Sequence, residues 1–219
     1  MDNVDCCNLA LSRIGHGTLR PISALTDNTE HAQACARVFP RILAMVLEEY
    51  VWPFARTCKA LAATTADAPS GWSYAYAVPS DARSVLYVEG EDFIPEWLPL
   101  SESRSRWEIH ADPATSGQLI VSDVPDAWAY YIRDVTQLQF TPELFGDLVA
   151  WRLAAEVGLG LKADAKLCQN AMQFYTQALD VAVSKAANQH GGRPRMQAES
   201  VIARGAGNAD SLSGLRVAP

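Results

Sequence analysis

No apolar run in the 219 residues approaches the roughly 18 needed to span a bilayer. Positive charge is also scarce: 18 Lys and Arg stand against 25 Asp and Glu, a net −7, which excludes a nucleic-acid footprint over the whole chain. There is no C-x-x-C, and the five cysteines (Cys6, Cys7, Cys35, Cys58, Cys168) are odd in number and irregular in spacing. His16, His31, His110 and His190 do not supply zinc-finger spacing, so no metal site is expected. Reduced thiols used as small apolar packing are the expectation instead. Neither G-x-G-x-x-G nor G-x-x-x-x-G-K-[ST] occurs, and G-x-S-x-G is missing too. Gly205-Ala206-Gly207 lies in the tail with no strand before it. No catalytic residue and no cofactor are therefore expected. The opening residues carry acids where a signal peptide needs positive charge, so no secretory signal is expected.

What is present is a clear succession of patterns. Val4, Cys7, Leu11 and Ile14 recur at helical spacing, with Asp2 or Asn3 as cap and Gly15 as stop. Residues 27–50 carry a second helical stripe: Ala32, Cys35, Ala36, Phe39, Leu43, Val46, Leu47 and Tyr50. Asp27 or Asn28 is its expected cap. Pro40 lies inside the stripe, which stays in phase, so a bend is expected rather than an end. The adjacent Glu48 and Glu49 point to different sides of such a helix and cannot share a substrate.

The texture changes at Pro69. Residues 69–140 hold four of the six tryptophans and five of the seven tyrosines. Trp72 to Val78 alternate at strand period, and Ser84–Val88, Trp107–His110, Leu119–Ser122 and Trp128–Arg133 read as four more strands. Helical period returns with Thr141 as cap and Pro142 in the first helical position. Leu144, Leu148, Trp151, Ala155 and Leu159 form its stripe, weakened at the end by Gly158 and Gly160. A last helix spans about 163–188. Residues 191–219 then carry four arginines (Arg193, Arg195, Arg204, Arg216) against two acids, +2, which leaves −9 for the rest. A glycine-rich stretch of this composition does not bury enough surface to fold alone and is expected to order on a partner.

The expected fold class is α+β, mainly α. It is an antiparallel helical bundle (1–68 and 141–190) with a β-rich insertion (69–140) and an extended C-terminal arm (191–219).

Several stretches together resemble the head–tail adaptors, or tail tubular protein A, of short-tailed bacteriophages. Asn8-Leu9-Ala10-Leu11-Ser12-Arg13-Ile14-Gly15 looks like their opening helix. Ile22 to Asp27, followed by Ala32 to Cys35, is similar to the entry of their second. Val51-Trp52-Pro53-Phe54-Ala55 matches a tryptophan–x–phenylalanine–alanine signature, with Pro53 where the family often has asparagine. Trp72 to Tyr76 with Pro79 and Asp81 matches an aromatic strand and its exit. Tyr131-Ile132, then Phe140, Pro142 and Phe145, matches the return into the third helix. The resemblance spans residues 4–188.

It implies a non-enzymatic virion protein of the head–tail junction, assembled in the host cytoplasm. Such adaptors form a homo-oligomeric ring, typically of twelve copies, beneath the portal protein. The ring extends the DNA channel and presents a surface to tail nozzle or tail fibre proteins. DNA passes without sequence-specific binding, and no membrane is involved. The arm is expected to reach onto the portal through Arg193, Arg195, Arg204 and Arg216. Two other functions compete. One is a tail-associated hydrolase using Glu96, Glu102 or Glu108. The other is a single-stranded nucleic-acid-binding module built on the aromatic strands.

Overall fold

The computed structural model describes residues 1–16, 21–64, 68–91, 105–112 and 117–189. Four helices and six strands follow in the order α1 (Asn3–Arg13), α2 (Glu30–Glu48), β1 (Arg56–Ala60), β2 (Tyr74–Ala77), β3 (Ala82–Glu89), β4 (Trp107–Ala111), β5 (Gln118–Ser122), β6 (Trp128–Arg133), α3 (Glu143–Gly160) and α4 (Ala165–Asn188). A 3-10 turn at Leu138–Phe140 leads into α3.

Local chemistry sets the helix ends. Asp2 and Asp5 form a capping box, each carboxylate accepting the other's backbone N–H at 2.7 and 3.1 Å. At the other end of α1, Gly15 takes φ +80°. Its N–H donates to Ser12 O, and the His16 N–H donates to Leu11 O at 2.9 Å. That is a Schellman ending, which needs a residue tolerant of the left-handed region.

α2 is capped by Thr29, whose hydroxyl accepts the Ala32 N–H, rather than by Asp27 or Asn28. Asp27 instead accepts the N–H groups of Ser23 and Ala24 and shapes the loop before the helix. α2 runs through the exposed Pro40, as the unbroken phase of its stripe requires. α3 begins one residue later than expected. Thr141 donates to Leu138 O and closes the 3-10 turn, leaving Pro142 as the capping position.

α3 is the hub of the helical layer and packs on α1, α2 and α4. Phe145, Leu148, Val149, Leu153, Ala154 and Val157 are all buried, so it is apolar nearly all round. One large core joins these side chains to Cys7, Leu11, Phe39, Ile42, Val46, Trp52 and Ile132.

The strands form two antiparallel three-stranded sheets, ordered β1-β6-β3 and β2-β5-β4. β6 alternates between two cores. Ile132 faces the helical layer, whereas Ala129 and Tyr131 enter a second cluster with Leu61, Tyr76, Val88 and Ile120. The chain leaving β1 crosses from one sheet to the other. Ala77 N–H donates to Ala62 O at 2.9 Å and Thr64 N–H to Ala75 O at 3.0 Å, so residues 62–64 lie beside β2.

The expectation of a mainly helical bundle is therefore corrected. The architecture is α+β, about 45% helix and 21% strand, with two full sheets. The sequence reading lacked β1, which is almost wholly exposed and shows no alternation. It is held by its register with β6, Arg56 opposite Ile132 through Ala60 opposite Trp128. Among the described residues no helix is long and apolar enough to cross a membrane.

Candidate interaction surface

The arginines assigned to the arm, Arg193, Arg195, Arg204 and Arg216, lie outside the described residues, as do Glu96 and Glu102. Glu108 sits on β4, with its carboxylate 3.0 Å from His110 Nε2. It lines neither of two shallow grooves on the described surface. The larger, about 300 Å³, is floored by Leu47, Leu86 and Ile132 and rimmed by Glu48, Glu49 and Ser84. The smaller, about 200 Å³, lies between α2 and α3 beside Glu30, Arg37 and Glu156.

Apolar exposure concentrates on the helical layer. Leu167, Phe174 and Val181 recur every seven residues along α4 and are 37%, 47% and 58% exposed. The side chains that α4 buries are Cys168, Ala171, Tyr175, Ala182 and Ala186. The exposed line is continued inward by Trp151, whose ring lies 4.9 Å from that of Phe174. The Arg13 guanidinium lies over the Trp151 ring, 3.7 Å from its centroid, and pairs with Asp147. Phe140 and Leu159, at 67% and 69%, add two further exposed apolar side chains. The buried line of α4 also recurs by sevens, as Cys168, Tyr175 and Ala182 one position further on than the exposed line, so spacing alone does not separate the two.

Beneath it, α2, α3 and α4 are tied by a polar network. The Tyr175 hydroxyl donates to Glu49, and Arg152 reaches Glu156 and the Met172 sulfur. Burial, then the bond to Glu49, pushes the Tyr175 hydroxyl up. Cys6, Cys7, Cys35 and Cys168 are buried and Cys58 is exposed, all of them free. Burial pushes the Cys6 thiol up to about 12. Among the described residues no three His, Cys, Asp or Glu side chains gather as a metal cluster. One pair does form that spacing in sequence concealed: His16 Nδ1 faces His31 Nε2 at 3.3 Å.

The residues quoted for the adaptor resemblance meet one another across long stretches of chain. Asn8 exchanges two hydrogen bonds with the Ile22 backbone, at 3.0 and 2.9 Å. Trp52 and Phe54 both meet Phe145 edge-on, with ring centroids 5.1 and 4.8 Å apart. The Tyr131 hydroxyl donates to Asp81 at 3.0 Å. Compared with known proteins, the chain matches no protein-family model and no curated protein.

Proposed function

We propose that this chain is a structural virion protein, a head–tail adaptor that assembles as a ring under the portal and joins the DNA channel to the tail. The observation that carries the reading is the pairing just described. Short motifs from five places in the sequence resemble one family, and they contact each other here. Asn8 meets Ile22, Trp52 and Phe54 meet Phe145, and Asp81 meets Tyr131.

Two further features suit the role. The exposed line of Leu167, Phe174 and Val181 offers apolar area for a side-to-side contact between copies, which a closed ring requires. The acidic balance of residues 1–190 repels phosphates, so a channel wall of this composition lets DNA slide.

The test is mass by light scattering, for the protein alone and after mixing with the portal encoded by the same genome. A large complex of fixed stoichiometry is expected. A chain that ignores the portal at micromolar concentration removes the reading.

A further inference from the structure

His16 and His31 are set in place by two helix ends. The Schellman turn at Gly15 fixes the backbone of His16 through its bond to Leu11 O. His31 stands in the first turn of α2, which Thr29 caps. The rings meet edge to face, with centroids 5.5 Å apart and an interplanar angle of 65°. Both side chains are half-buried, open enough for solvent to reach them.

The facing nitrogens are 3.3 Å apart. Two imidazoles on one tetrahedral ion, with bonds of ~2.0–2.1 Å, hold their nitrogens ~3.3–3.4 Å apart. That separation belongs to the N–H···N hydrogen bond the pair forms, and it equals the one such an ion imposes, so a turn of the rings rather than a move of the backbone brings both lone pairs onto an ion. Both rings are carried on capped helix ends rather than on a free loop, so little ordering remains to be done on binding. Imidazole favours zinc, nickel and copper over magnesium or calcium.

We propose that His16 and His31 form a binding site for a borderline divalent ion of the zinc class, with water in the remaining positions. The ion enters at the shared hydrogen. The proton between the facing nitrogens moves to the far nitrogen of its own ring, so both facing nitrogens present lone pairs and no net proton is released from the neutral pair. A bound ion bridges the end of α1 to the start of α2. The site is independent of the adaptor reading.

The experiment titrates the full chain with zinc chloride, in a Cys58→Ser background so that the exposed thiol does not compete. One saturable equivalent is expected. His16→Gln and His31→Gln should each weaken it at least tenfold, whereas His110→Gln leaves it unchanged. Absence of saturable binding overturns the site, as does binding that survives His16→Gln. A second measurement needs no histidine variant: the imidazole nitrogen resonances, recorded with and without zinc. A shift at His16 Nδ1 and His31 Nε2 supports the site, and unchanged resonances there overturn it wherever else zinc binds.

Discussion

Trp52 joins more of the molecule than any other side chain of its segment. It is 2% exposed, its indole N–H donates to Val46 O at 2.8 Å near the end of α2, and its ring meets those of Tyr50, Phe54 and Phe145. Trp52→Ala should cost about 3–5 kcal/mol, the range for emptying a large aromatic site. Trp52→Phe should cost about 1–3 kcal/mol, largely by stranding the Val46 carbonyl. Urea denaturation of the two variants checks both values.

Gly158 makes a second residue-scale case. Its place near the end of α3 looks in sequence like simple helix weakening. In the structure a Cβ there would meet the Cys168 sulfur of α4 at 2.6 Å, whereas a Cβ at Gly160 meets nothing within 4 Å. Gly160→Ala should therefore stabilise by up to about 1 kcal/mol through helix propensity. Gly158→Ala should destabilise by about 1–2 kcal/mol, and Cys168→Ala should relieve much of that in the double variant. Equal effects of the two glycine substitutions would show that the close approach of α3 and α4 does not matter.

At the scale of elements, legibility followed alternation and capping. β2 was readable because aromatic and small residues alternate along Trp72–Val78, β3 to β6 as short strand-like runs, and Trp128–Arg133 has the bounds that the sequence suggested. β1 was not readable, since a nearly naked edge strand carries no burial pattern for the sequence to record. α3 was read as a one-sided stripe of Leu144, Leu148, Trp151, Ala155 and Leu159. Only Leu148 of these is fully buried, and Leu159 is 69% exposed. A helix covered on several sides has no single stripe, so the periodic signal points to the wrong flank.

Sheet β1-β6-β3 also carries a pH dependence. Burial pushes the Tyr87 hydroxyl up to about 12, and burial with the bond to Asp81 does the same for Tyr131. In the unfolded chain both ionise from about pH 10, near the ordinary tyrosine value. Above that pH the unfolded state binds fewer protons than the folded one, so stability falls as pH rises. The loss should begin near pH 10 and level off past pH 12, with stability below pH 9 untouched by these two groups. Denaturation series at pH 8, 10 and 11 measure it, and Tyr131→Phe should flatten the slope. A slope unchanged by that substitution would assign the loss to other groups.

For the whole molecule, the sequence made the order of parts readable and left their proportions obscure. Helices first, strands next and helices last was correct. That the chain before Pro69 gives β1 to one sheet and residues 62–64 to the edge of the other was not visible, because the partners of β1 lie up to 76 positions later, and such distance leaves no local trace. The same holds for the site: Trp52 and Phe54 were legible as a signature, but their meeting with Phe145 was not. The adaptor proposal makes a prediction at this scale. Residues 191–219 are glycine-rich and by composition are expected not to fold alone, so a chain cut after His190 should keep its melting temperature and lose portal binding. Portal binding at full strength by the cut chain would free the arm arginines of that role.

The position of α3 has a consequence for the chain as it is made. The helix that α1 and α2 pack against is encoded only at residues 143–160, after all six strands. At ~5–20 residues per second of synthesis, the apolar faces of α1 and α2 wait roughly 5–20 s for their cover. During that interval the nascent protein displays Leu11, Phe39, Ile42 and Val46 to solvent, a natural grip for a chaperone and a natural seed for aggregation when expression is fast.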